Sequence, residues 1–295
     1  MNPLFICAVV SMMLAEGNLI SSYAQTQSPG PRIVSFAPNL TELVYALGLG
    51  SQMVGRSSVC DYPPEARTLP VAGDFGRPYW EKLQSLHPDL VLATDLEKPG
   101  LLKQMDQAGI KTLLLPCESW DELLLAGQKI SEAVGQPERG REWVKKMKVR
   151  RAAVEQRVNA FYSQRGSEGR PRVYVEVWGD PVTTAGARTF MNDLISLAGG
   201  VNIAGKIDSK YIPVNSEWVI RENPDAIVLA YMFPVGSSSE QLKRRLGWES
   251  VRAVRDNAIC DNISPDLLLR SGPRIIEGAE KLAEWLMGIS SHPLK

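Results

Sequence analysis

Glu81-Lys-Leu-Gln-Ser-Leu-His-Pro-Asp-Leu-Val-Leu92 and Glu217-Trp-Val-Ile-Arg-Glu-Asn-Pro-Asp-Ala-Ile-Val228 are one segment written twice. Glu81 matches Glu217, Leu83 matches Val219, Pro88-Asp89 matches Pro224-Asp225, and an apolar run follows each. Each copy reads as a short helix with a carboxylate in its first turn, where the positive end of the helix dipole favours it. Pro-Asp ends that helix, and the run after it reads as a parallel strand buried on both faces. Two such units predict two equivalent lobes. In each, the end of the helix and the start of the strand share one edge. Glu81 and Glu217 fall at the opposite edge, the rim where open α/β sheets bind ligands. One glutamate near a helix start is usually a helix-end charge worth about 0.3 kcal/mol. Two at equivalent places suit two basic residues on a symmetric partner.

Strand–helix alternation extends outward from both copies. Arg32 to Phe36 is β-type, and Asn39-Leu-Thr-Glu42 has the form of a helix N-cap with an acidic third residue. Leu40, Leu43, Val44 and Leu47 share a helical face that Gly48 closes. Met53 to Ser57, Leu90 to Ala93 and Thr112 to Leu115 read as strands. Pro78 suits the opening of a helix carrying Leu83 and Leu86, and Ser119 the cap of one running to Val134. From Glu138 to about Gln164, Trp143, Met147, Val154, Val158 and Phe161 recur at helical spacing among Lys and Arg, which predicts one long helix. Alternation then resumes with strands at Arg172–Val177, Ala226–Leu229 and Ala258–Cys260. Helices are expected at Met191–Ala198, from a Ser216 cap to Arg221, and from Pro273 to Gly288. The fold class is α/β: a lobe at 31–136, a connecting helix at 137–166 and a lobe at 171–289, each lobe Rossmann-like with a parallel sheet.

Composition narrows the function. Lys+Arg and Asp+Glu are equal at 33 each, so there is no basic excess for nucleic acid. Leu4 to Ala15 is apolar but short for a membrane span, and Ser22-Tyr23-Ala24 offers small residues for cleavage. Residues 1–24 therefore read as a signal peptide, and the expected location is the periplasm. Cys60, Cys117 and Cys260 follow no zinc spacing and read as small buried residues at strand ends. No Gly-x-Ser-x-Gly, phosphate loop or His-Glu-x-x-His is present, and the Gly-x-Gly at Gly48 to Gly50 follows a helix rather than a strand. An enzyme is not expected. A surface interaction protein, also disfavoured, would need a large exposed apolar patch, which is a property of the folded surface.

Ile33-Val-Ser-Phe-Ala-Pro-Asn39, Thr41-Glu-Leu43, Asp61-Tyr-Pro-Pro-Glu-Ala66, Leu86-His-Pro-Asp-Leu-Val-Leu92, Gly199-Gly-Val-Asn-Ile203 and Ser271-Gly-Pro-Arg-Ile-Ile276 together resemble the cobalamin- and iron-chelate-binding proteins of ABC importers. The resemblance runs from about Arg32 to Gly288 and is nearest to the cobalamin-binding members. It implies two α/β lobes joined by one rigid helix, a ligand held between them, little hinge closure, and an ABC permease dimer with its ATPase as partner, the binding protein acting as a monomer. It places Glu81 and Glu217 at the permease-docking positions. It places Arg270 at a cleft arginine, Asp266 at an acidic position just before it, and Phe75, Trp178 and Tyr211 at aromatic ligand-facing positions. Val59, Thr94, Thr183 and Leu267 stand where cobalamin binders carry further aromatics, so the expected aromatic wall is thinner.

Chemistry then sorts the ligands. His87, in a turn at the far edge, and His292, in the tail, are the chain's two histidines, too few for a bare Zn²⁺ or Mn²⁺ site in the cleft. No metal site and no resident cofactor are expected. The loop Gly73-Asp-Phe-Gly76 offers Phe75 where haem binders of this family often place an axial Tyr. An anionic ferric siderophore would draw on Arg77, Arg188 and Arg270, which keeps it as the alternative, with haem. A corrinoid wants flat apolar walls and a few polar anchors for its amide fringe, which Phe75, Trp178, Tyr211, Asp266 and Arg270 supply.

Overall fold

The computed structural model describes residues 30–291 except 97, 99, 165–168 and 232–238. The expected signal segment at residues 1–24 and His292 lie outside the described residues. The first half runs β1 (Ile33–Ser35), α1 (Pro38–Ala46), β2 (Met53–Ser57), β3 (Val71–Asp74), β4 (Arg77–Pro78), α2 (Trp80–Ser85), β5 (Leu90–Ala93), α3 (Gly100–Gln107), β6 (Lys111–Leu114) and α4 (Trp120–Ala133). Its sheet has the order β4-β3-β2-β1-β5-β6, parallel throughout except where β4 turns back antiparallel to β3. One helix of 27 residues, α5 (Pro137–Ser163), follows. It is about 40 Å long at 1.5 Å per residue.

The second half runs β7 (Arg172–Glu176), β8 (Trp178–Gly179), β9 (Val182–Ala185), α6 (Phe190–Leu197), β10 (Val201–Asn202), β11 (Tyr211–Pro213), α7 (Ser216–Glu222), β12 (Ala226–Leu229), α8 (Ser239–Lys243), α9 (Arg252–Arg255), β13 (Ile259–Cys260), α10 (Pro265–Leu269) and α11 (Ile275–Ser291). Four strands form a parallel sheet in the order β10-β7-β12-β13. Three more, β11-β9-β8, form a separate antiparallel sheet that the strand–helix reading did not include.

The duplicated segment has one structural cause in both halves. The Asp89 carboxylate accepts the Arg32 backbone N–H at 2.8 Å, and Asp225 accepts that of Arg172 at 2.8 Å. The Arg32 guanidinium reaches back to the carbonyls of Leu86 and His87, and that of Arg172 to the carbonyl of Glu222. His87 and Asn223 both adopt left-handed backbone (φ 45° and 43°), which turns the chain out of each helix. Pro-Asp therefore fastens the start of one strand to the start of its neighbour. His87 is exposed, as expected for a turn residue.

Alternation sets the layers. Ile33, Leu90 and Leu92 face one apolar cluster, and Val34, Val91 and Ala93 face another on the opposite side of the sheet. In the second half Val173, Val175, Ala226 and Val228 join the first cluster, and Tyr174, Ile227 and Leu229 join a third. The first cluster is common to both halves and contains Trp143, Val144, Met147, Val154, Val158 and Tyr162 of α5. α4 lies close on α5 because Gly127 leaves room for Trp143: a Cβ at Gly127 would meet that ring at 2.5 Å.

Three local expectations need correction. Asn39 is not a cap: Pro38 opens α1 after Ala37, and Asn39 and Glu42 lie inside the helix. Pro78 lies in β4, and α2 begins at Trp80. Asn215, not Ser216, caps α7 by accepting the Trp218 N–H at 2.9 Å. At this last site two polar residues are adjacent, and cap propensity alone does not choose between neighbours. Ser119 does cap α4, accepting from the Glu122 N–H at 3.2 Å.

A buried ion pair locks the second lobe. Glu176, fully buried at the end of β7, takes both arms of Arg245 at 2.6 and 2.7 Å. It also accepts hydrogen bonds from the hydroxyls of Tyr174 and Tyr231. Burial first, and the Glu176 charge second, push the Tyr174 phenol well above its ordinary range, so it stays a donor. Removing one member of a buried pair strands the other charge. Arg245→Ala should therefore lower stability by ~3–5 kcal/mol. Replacing the exposed Arg244 should change it by under ~0.5 kcal/mol, with urea denaturation as the measurement.

Candidate functional site: the cleft between the lobes

Parallel strands place their C-terminal ends on one edge, and the loops leaving that edge carry most binding residues in open α/β sheets. In the first half these loops follow β1, β2, β3 and β6 and bring α1, Asp61, Phe75 and Glu118 to the edge. In the second half they follow β7 and β13 and bring β8 and α10. The two edges are joined by ionic contacts between the halves.

The central contact is Glu42 of α1, whose side chain retains 2% of its exposure. Arg274 grips it with two arms, Nη2 to Oε1 at 2.6 Å and Nε to Oε2 at 2.8 Å. Arg270 donates from Nη1 to Asp61 Oδ1 at 2.7 Å and to Glu42 Oε1 at 3.4 Å, and from Nε to Asp266 Oδ1 at 3.0 Å. The Arg274 guanidinium lies 3.8 Å from the centroid of the Tyr62 ring. Asn39 Nδ2 donates to the Ser271 carbonyl at 3.3 Å beside this cluster. Burial alone would raise the Asp61 pKa, but the hydrogen bond and charge of Arg270 outweigh it and hold the carboxyl below the usual range.

A second contact joins the halves at another place. Lys210, just before β11, donates from Nζ to Glu118 Oε1 at 2.7 Å, and both side chains are about half exposed. Tyr211 is next in the chain and keeps 51% exposure. Its phenol is pushed above the ordinary range, by desolvation first and by the Glu118 charge second.

Asp266 and Arg270 are thus brought together, and Arg270 is matched by three carboxylates rather than left open. Phe75 and Trp178 are 54% and 42% exposed, and with Tyr211 they stand outside the apolar clusters. Trp178 and Tyr211 come from the two outer strands of one small sheet, and Phe75 from the facing lobe. Among the described residues no ring contact joins the three. Glu81 and Glu217 lie in the first turns of α2 and α7, exposed and without an ion pair among the described residues. Of the thinner-wall positions, Val59 is exposed but Leu267 is buried in the shared core and is no wall residue.

Sequence reasoning passed over Glu42, Asp61, Tyr62, Arg274, Glu118 and Lys210. The available signal was Arg270 and Arg274 four residues apart in a chain whose Glu42 is the single charge in the segment Pro38–Ala46. Cys60, Cys117 and Cys260 are buried and unpaired. Burial pushes Cys117 up to about 12 and Cys260 to about 11, so both remain inert thiols. No group of His, Cys, Asp and Glu among the described residues could hold a metal ion.

A periplasmic-binding-protein family model matches residues 33–262, from β1 of the first lobe through the long helix to just past β13 in the second. The chain belongs to the periplasmic binding protein family. It is a solute-binding protein of the ABC-transporter type, not an enzyme. It is 34% identical to a Bacillus subtilis protein described as an uncharacterized ABC transporter substrate-binding lipoprotein, over 86% of this chain and 79% of that one. It is 26% identical to the vitamin B12-binding protein of Pectobacterium carotovorum, over 97% of this chain and 96% of the other. The periplasmic heme-binding protein RhuT of Roseiflexus superposes with a TM-score of 0.75 at 27% identity, over 88% of this binding protein and 99% of that chain. The vitamin B12-binding protein BtuF of Vibrio cholerae superposes with a TM-score of 0.71 at 25% identity, over 90% and 99%.

The Asp61–Arg270 contact gives this binding protein an acid-sensitive tie. Because Asp61 titrates lower when folded, its contribution is complete above the ordinary value of 3.8 and is lost as pH falls through the folded value. The melting-temperature difference between wild type and Asp61→Asn should be constant above about pH 5 and shrink towards zero in stronger acid.

Proposed function

We propose that this binding protein captures a corrinoid of the cobalamin type in the cleft, outside the cytoplasmic membrane, and as a single copy delivers it to an ABC permease dimer driven by its ATPase. The observation that carries the ligand choice is the saturation of the two guanidinium groups gathered at Glu42. Arg270 is met by Asp61, Asp266 and Glu42, and Arg274 spends two arms on Glu42. A polyanionic ferric siderophore would have to displace those carboxylates, leaving the buried Glu42 uncompensated. A corrinoid asks instead for flat walls and amide partners. Phe75, Trp178 and Tyr211 supply the walls, and Asp266, with the polar cluster around Arg270, the partners.

Haem is served less well. Phe75 has no ligand atom for iron. The exposed Tyr79 donates its hydroxyl to Asp74 at 2.7 Å, and that hydrogen bond holds the phenol above its ordinary range, away from the phenolate that would bind iron. The curated relatives described as vitamin B12-binding proteins agree with the corrinoid reading at modest identity.

Docking falls to Glu81 and Glu217, whose carboxylates are free to meet basic residues on the two halves of a permease. Calorimetric titration with cyanocobalamin should give one site of micromolar or tighter affinity; absence of heat at micromolar protein, with heat on adding haemin or a ferric siderophore, would replace the ligand assignment. The double variant Glu81→Ala/Glu217→Ala should keep that affinity and abolish uptake in cells carrying the transporter. Uptake at the wild-type rate would remove the docking assignment.

A further inference from the structure

Among the described residues, ionic contacts cross between the lobes at two places, and the two differ in kind. The Glu42–Arg274 contact is two-armed and buried, and Arg270 beside it has three carboxylate partners. The Glu118–Lys210 contact is one ammonium on one carboxylate, with side-chain exposures of 42% and 52%. Sheet order sets the two apart. Glu118 leaves β6, the edge strand of the first sheet, whereas Asp61 leaves β2 on the other side of β1. Lys210 follows β10, at one edge of the second parallel sheet, and Arg270 follows β13 at the opposite edge. One flank of the cleft is thus held by a buried cluster and the other by a solvated pair.

An exposed Lys–Glu pair is worth about 0–1 kcal/mol, so a ligand anion can take the ammonium at almost no cost while Glu118 turns to water. A guanidinium matched by buried carboxylates cannot be taken so cheaply. Lys210 also adjoins Tyr211, whose half-exposed ring is a proposed wall of the site.

Resting on the corrinoid reading, we propose that Lys210 determines specificity by exchanging Glu118 for the phosphodiester of the ligand's nucleotide loop. The ammonium donates to a phosphate oxygen in place of the Glu118 carboxylate, and no covalent bond changes. The macrocycle and its amide fringe meet the walls, and the one anionic group of the loop is read at the flank where a cation can be released. The binding protein then distinguishes a complete corrinoid from cobinamide, which has the same macrocycle without the nucleotide loop.

The test titrates the whole protein and its variants with cyanocobalamin and with dicyanocobinamide, following absorbance and heat. Wild type should prefer cyanocobalamin by about tenfold, the size of one charge-assisted hydrogen bond. Lys210→Gln should remove that preference by weakening cyanocobalamin alone, and Lys210→Arg should restore much of it. Glu118→Gln breaks the same contact between the lobes but leaves the cation free, so it should tighten cyanocobalamin about two- to threefold. If Lys210→Gln and Glu118→Gln weaken both ligands alike, the pair only holds the lobes and the specificity assignment is overturned. Equal affinity of wild type for the two corrinoids overturns it as well, with the corrinoid reading intact. If neither corrinoid binds, the corrinoid reading itself fails, and this assignment with it.

Discussion

Glu42 is a carboxylate almost wholly removed from water, and the cations that compensate it come from the other end of the chain. Desolvating such a group costs several kcal/mol, and only well-formed hydrogen bonds from opposite charges recover it. The two-armed grip of Arg274 and the nearby Arg270 meet that requirement in one arrangement of the lobes. Any movement that opens the cleft at this flank separates a buried charge from its partners. The contact therefore ties the orientation of the two lobes at this flank to the compensation of a buried charge. The shared apolar cluster around α5 acts in the same sense, since both lobes bury part of their cores on one helix.

Much of the fold was legible because it rests on periodicity. The continuous apolar runs at Leu90–Ala93 and Ala226–Leu229 are strands buried on both faces, and the spacing of Trp143, Met147, Val154 and Val158 shows the long helix. The duplicated segment was legible too, although its cause, the Asp89–Arg32 and Asp225–Arg172 fastenings, needed three dimensions. The antiparallel sheet β11-β9-β8 escaped notice. Its strands are two to four residues long, shorter than any window in which alternation can be counted.

The site was legible in part, for a related reason. Aromatics can be recognised by type, and Phe75 of a loop and Trp178 and Tyr211 of short strands stand exposed. Charges cannot be recognised so, because their meaning depends on partners far away in sequence. Glu42 looked like a helix-capping carboxylate and is an interior one, separated by more than two hundred residues from its partners. Arg270 looked like an anchor for ligand, and its geometry shows a cation already matched.

Trp178 and Tyr211 belong to a small sheet that shares no strand with the parallel one. Their side chains lie outside the apolar clusters, so replacing them costs the core little. The parts of the molecule that keep it folded and those proposed to meet a ligand can consequently accumulate substitutions at different rates. A lineage can exchange its cargo by altering a few short strands while the helix and both parallel sheets stay as they are. That separation gives a physical reason why proteins described as heme binders and as vitamin B12 binders superpose on one and the same frame.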